Sequence, residues 1–158
     1  MKHIISVLVE NKPGVLARIA GLFSARGYNI TSLAVSETLD SETSYMTMVV
    51  EAEDERVLEQ IKKQLNKLID VITVTDFTKR EHVERELILV KVNCSTKDKE
   101  KLETVLRKFL GKLIQHKENI AIIEAVGEQE QIKNLLESLK PFGIRELVRT
   151  GRLAIAST

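Results

Sequence analysis

The run Glu10-Asn11-Lys12-Pro13-Gly14-Val15-Leu16-Ala17-Arg18-Ile19 closes an apolar strand and opens an amphipathic helix. Its reading decides how the chain is organised. The first turn of a helix leaves backbone N–H groups without intrahelical partners, and the helix dipole places partial positive charge there. A carboxylate or phosphate is therefore favoured at the junction, without a charged side chain. Pro13 sits where a missing N–H costs a starting helix nothing, and Gly14 lets backbone or ligand come close. The plainer alternative is a strand-to-helix turn in which Asn-Lys-Pro-Gly serves only as punctuation.

Outward from that junction, Val15, Leu16, Ile19, Leu22 and Phe23 are spaced to share one helical face, and Gly27 supplies a left-handed stop. Asn29 and Ile30 then enter the next strand. Alternation and 3.6-residue periodicity give a strand at 3–9, a helix at 14–26, strands at 29–39 and 44–52, a helix at 54–68 and a strand at 70–77. The order repeats as a strand at 85–93, a helix at 97–110, strands at 112–117 and 120–126, a helix at 128–139 and a strand at 144–149. The expected fold is α+β, two tandem ferredoxin-like βαββαβ modules divided as residues 1–78 and 79–158. Each helix carries one apolar stripe, such as Leu58, Ile61, Leu65 and Leu68, or Leu102, Val105, Leu106 and Phe109. Two such helices cover one face of a four-stranded sheet, and modules of this size are expected to pair, most simply as a homodimer.

Several functions are poorly served by these residues. A net charge of +1, with no Lys/Arg run longer than a pair, argues against nucleic acid. An RNA platform of this topology needs strand aromatics, and only Tyr45 falls in a central strand. No apolar run reaches the roughly 20 residues that span a bilayer, and no signal peptide opens the chain, so a cytoplasmic protein without a membrane partner is expected. One cysteine, Cys94, permits no intrachain disulfide and reads as a packed strand residue. His3, His82 and His116 lie in or beside different strands and read as surface or edge residues, with no catalytic set or metal site. The acidic clusters Glu51-x-Glu53-Asp54-Glu55 and Glu81–Glu86 fall where a helix starts or a linker crosses, where carboxylates complement a helix dipole.

Taken in order, Glu10-Asn11-x-x-Gly14-x-Leu16-x-Arg18 and Gly21-Leu22-Phe23-x-x-Arg26-Gly27-Tyr28-Asn29-Ile30-x-Ser32-Leu33 resemble the ACT domain of the acetohydroxyacid synthase (acetolactate synthase) small regulatory subunit. His82-Val83-Glu84-Arg85-Glu86-Leu87-Ile88-Leu89-Val90-Lys91-Val92 is similar to the join between the two halves of that family. The resemblance implies a non-catalytic chain that binds and activates the large catalytic subunit and confers feedback inhibition in branched-chain amino acid synthesis. It implies L-valine as effector and no cofactor in this chain, since thiamine diphosphate, Mg and FAD would belong to the catalytic subunit. Asn11, Lys12, Pro13, Gly14, Val15 and Leu16 would hold the effector, with Asn29 and Ile30 reaching it from a neighbouring copy. The second module lacks the Pro-Gly junction near Thr96-Lys97-Asp98, and no effector site is expected there. Three rivals stand beside this reading: an ACT-type amino-acid sensor controlling a different target, a stand-alone ferredoxin-like enzyme, and an activating subunit that has lost its effector.

Overall fold

The computed structural model describes residues 1–158, and their strands and helices follow βαββαβ twice. In the first half these are β1 (Lys2–Glu10), α1 (Val15–Ala25), β2 (Ile30–Glu37), β3 (Thr43–Glu51), α2 (Glu55–Asn66) and β4 (Val71–Asp76). The second half has β5 (His82–Asn93), α3 (Lys99–Lys108), β6 (Lys112–Lys117), β7 (Ile120–Gly127), α4 (Gln129–Leu139), β8 (Ile144–Arg149) and a ninth strand, β9 (Leu153–Ala156). The sheets run β2-β3-β1-β4 and β6-β7-β5-β8, every pair antiparallel, with β9 joined to β5.

Each unit has its own core. In the first, Ile5, Val7 and Val9 of β1 and Met46, Met48 and Val50 of β3 meet Val15, Ile19 and Phe23 of α1 and Leu58, Ile61 and Leu65 of α2. In the second, Ile88, Val90 and Val92 of β5 pack with Leu102, Leu106, Ile132, Leu135 and Leu139. The stripes expected from periodicity are buried or partly buried against the two cores, with one exception. Leu16 is 45 % exposed, because the helix rests on the Val15, Ile19 and Phe23 line and turns Leu16 to its flank.

The compact units are Met1–Val83 with Arg152–Thr158, and Glu84–Gly151. The chain therefore returns to its first unit at its far end, which a division in chain order at 78/79 does not include. Ala154 and Ala156 lie with Ile4, Val49 and Phe77 on the face of the first sheet opposite the helices. The Arg152 amide donates to Ser32 Oγ at 3.0 Å, and the Ser157 amide to the Glu81 carbonyl at 3.1 Å. In the second unit, the corresponding face leaves Leu89, Val126 and Val148 exposed.

Two histidine and carboxylate placements differ from expectation. His3 is buried rather than a surface residue, its Nδ1 3.0 Å from Thr78 Oγ1, because β1 is the central strand and Thr78 closes over it. Glu86 is no helix-end acid. It is 4 % exposed and bonds Arg149 through both oxygens, Oε1 to Nε at 2.5 Å and Oε2 to Nη2 at 2.9 Å. Cys94 is buried as expected, and burial pushes its thiol up. No helix is long and apolar enough to cross a membrane.

Candidate functional site

The β1–α1 loop is held from both sides. The Glu10 amide donates to the Asp70 carbonyl at 2.9 Å, and the Asn11 amide to the Glu42 carbonyl at 2.8 Å. The loop thus lies between the β2–β3 hairpin and the α2–β4 turn. Asn11 Nδ2 also donates to the Ser41 carbonyl at 2.9 Å. That commitment leaves the Asn11 amide oxygen as the side-chain group suited to an ammonium. Lys12 folds back on Glu10 at 2.9 Å, and the hydrogen bond it donates to the Glu10 carboxylate holds its ammonium above its ordinary pKa.

Gly14 stands at the N-cap with φ 88° and ψ −10°, a left-handed conformation that glycine adopts without steric cost. The helix has no side-chain cap and no acidic residue in its first turn. Val15 N–H contacts the Lys12 carbonyl at 3.3 Å, and the first helical bond is Arg18 N–H to the Gly14 carbonyl at 3.0 Å. Gly14 and Leu16 N–H donate to no group of the chain, so the open end of the dipole is unused. One turn on, Arg18 Nε and Nη2 both reach Asp70 Oδ2, at 2.8 and 2.7 Å. A Cβ on Gly14 would come within 3.1 Å of Arg18 Nη1.

Asn29 and Ile30 are not beside this loop. Gly27, at φ 71°, ends α1 with its amide on the Ser24 carbonyl at 3.1 Å, and the Tyr28 amide returns to the Phe23 carbonyl at 3.0 Å. Asn29 follows, exposed, its carbonyl accepting from Glu51 N–H at 3.1 Å. Glu51 pairs with Lys2, whereas Glu10 pairs with Thr43, so the two groups sit at opposite ends of β1. Nine residues of strand separate them, about 30 Å at 3.4 Å per residue. Within one chain the structure brings Asn11 to Leu16 together and leaves Asn29 and Ile30 apart. Arg18, quoted from the sequence only as a motif position, and Ser41 and Asp70, which were not singled out, are neighbours of the site. The Gly14-to-Arg18 spacing of four residues, one helical turn, was the available signal for the first.

The second unit repeats the anchoring but not the opening. The Asn93 amide donates to the Gly143 carbonyl at 3.0 Å and Cys94 to the Asn119 carbonyl at 2.8 Å, matching Glu10 and Asn11. There, Ser95 Oγ donates to Asp98 Oδ2 at 3.0 Å, so the head of the helix carries its own carboxylate. No three His, Cys, Asp or Glu side chains gather as a metal-binding group.

Residues 5–73 match the family model described as the AHAS small subunit-like ACT domain, and residues 85–158 that of the small subunit of acetolactate synthase. The chain is 44 % identical to a probable acetolactate synthase small subunit of Archaeoglobus fulgidus, covering 98 % of this chain and 96 % of that one. It is 42 % identical to the acetolactate synthase small subunit of Bacillus subtilis, covering 99 % and 91 %. The crystal structure of the acetolactate synthase small subunit from Thermotoga maritima superposes with a TM-score of 0.89 at 35 % identity, over 100 % of this chain and 98 % of that one. The chain belongs to the acetolactate synthase small-subunit family, as a regulatory rather than a catalytic chain.

Proposed function

We propose that this chain binds and activates the catalytic large subunit of acetolactate synthase in the cytoplasm and confers feedback inhibition by L-valine in branched-chain amino acid synthesis. The effector site is shared between two first units. Gly14 and Leu16 N–H receive the valine carboxylate at the uncapped head of α1, Asn11 Oδ1 accepts from its ammonium, and Leu16 offers its isopropyl group an apolar flank. Asn29 and the Ile30 backbone come from the neighbouring copy. Thiamine diphosphate, Mg and FAD belong to the catalytic subunit.

The observation that carries this reading is the separation of the two residue groups along β1. β2 is an edge strand and runs parallel to β1, since both are antiparallel to β3. A two-fold axis pairing β2 with the β2 of a copy makes the two antiparallel. The Asn29 end of one chain then lies beside the Gly14 end of the other, in an isologous contact with two equal sites. A ligand that binds only this geometry shifts the population toward it, and a tenfold to hundredfold preference is about 1.4 to 2.7 kcal/mol of coupling.

Titration calorimetry of the chain with L-valine, against L-lysine, tests the sensor. Mixing Gly14→Asp with Asn29→His chains tests the sharing. Neither variant alone should bind. Random re-pairing should restore about a quarter of the wild-type sites, because each mixed dimer keeps one intact loop facing one intact Asn29. A site confined to one chain would give no recovery, and that result would sink the shared-site reading.

A further inference from the structure

We infer that the loop tips at the Glu10 end of the first unit, centred on Leu39 and Ile69, are the surface by which this chain docks on the catalytic subunit of acetolactate synthase. The inference rests on the proposed function for the identity of the partner and adds the contact surface. Leu39 is fully exposed and Ile69 is 95 % exposed, more than any other large apolar side chain here. Leu39 lies in the β2–β3 hairpin and Ile69 in the α2–β4 turn, positions where polar and turn-forming residues commonly stand. A single exposed leucine means little. These two sit in the loops that bracket Asn11 on either side, one bonded to it through Glu42 and the other to Glu10 through Asp70. Exposed Leu16 and Ile72 lie at the same end of the unit.

The tips are held in place. Thr38 N–H donates to the Thr43 carbonyl at 3.0 Å, Thr43 N–H to Asp40 at 3.0 Å, and the two threonine hydroxyls meet at 2.6 Å, which ties the hairpin across Leu39. Asp70, beside Ile69, is clamped by Arg18. Pre-ordered apolar tips lose little entropy on entering a pocket.

Charge indicates the kind of partner. Lys12 is engaged by Glu10 and Arg18 by Asp70, which leaves exposed Glu37, Asp40 and Glu42 against Lys67. The rim is acidic, so the fitting surface is a protein with apolar sockets framed by Lys or Arg. Self-pairing through β2 takes place across the strands, whereas these tips project along them. The docking surface is also wired to the effector loop. Asn11 to Ser41 and Arg18 to Asp70 tie the loop and its helix to both tips, so a ligand that shifts the loop displaces the tips.

The test uses the full chain and its cognate catalytic subunit, with association followed by sedimentation and activation by turnover. Leu39→Asp with Ile69→Asp should weaken association at least tenfold and lower activation in step, while the melting temperature, dimer mass and valine heat of the isolated chain stay as in wild type. Val148→Asp, on the exposed sheet face of the second unit, should leave association unchanged. Undiminished association of the double variant, an equal loss in Val148→Asp, or a change of dimer mass in the double variant would overturn the inference. A wild-type chain that does not associate at all removes the proposed function and this surface together.

Discussion

Arg18 and Asp70, 52 residues apart, are joined by two contacts to one carboxylate oxygen, Nε at 2.8 Å and Nη2 at 2.7 Å. The pair is half exposed on the arginine side, so it adds no more than about 1 kcal/mol to stability. Its value is positional. It fixes the first turn of α1 against the α2–β4 turn, and its guanidinium stands where a side chain at position 14 would reach.

Gly14→Ala and Gly14→Asp should therefore separate strain from charge. Both place a side chain at φ 88°, at a cost of about 1–2 kcal/mol, and both crowd Arg18 Nη1. Only the aspartate adds a negative group at the head of α1, where it would repel the carboxylate of the proposed effector and compete with Asp70 for Arg18. Denaturant midpoints should fall alike, while valine heat is reduced in the alanine variant and abolished in the aspartate variant. Normal valine binding by Gly14→Asp would show that the effector sits elsewhere.

Arg149→Met should destabilise the second unit by about 3 kcal/mol, the lower end for stranding a buried carboxylate, because Arg149 itself is partly exposed. The hydrogen bonds that Arg149 donates to Glu86 raise the Arg149 pKa despite partial burial. Adding Glu86→Gln should recover part of the loss in urea unfolding. A single-variant change within about 0.5 kcal/mol would mark the pair as energetically idle.

Acid stability should depend on Asp76. Burial alone would raise its pKa, but hydrogen bonds from the Thr78 side chain and amide, with the nearby Lys62 ammonium, outweigh burial and hold it below the ordinary 3.8. A depressed folded value means the contribution is complete above the unfolded value and is lost as pH falls through the folded one. Melting temperature followed downward from about pH 5 should drop less steeply in Asp76→Asn than in wild type. Identical slopes would remove Asp76 from the acid limb.

Much of the architecture was legible because burial on one face leaves a period. Leu58, Ile61 and Leu65 announce α2, and Asp54 caps it with Oδ1 on the amides of Arg56 and Val57, as its acidic neighbourhood suggested. β9 was not legible. It has four residues, of which only Ala154 is buried, and its environment comes from strands far earlier in the chain. At the candidate site, Pro13-Gly14 marked the loop because local backbone demands select those residues. The ties from Asn11 to Ser41 and Arg18 to Asp70 span 30 and 52 residues, and no local pattern encodes them.

The return of residues 152–158 to the first unit has a consequence for biosynthesis. A ribosome releases most of the first unit long before the segment carrying Ala154 and Ala156 exists, so Ile4, Val49 and Phe77 wait uncovered while the whole second unit is made. Completion of the first unit is thus delayed until residues 152–158 have been made and have left the ribosome, and a chain stalled before residue 152 presents an apolar face that the finished fold hides.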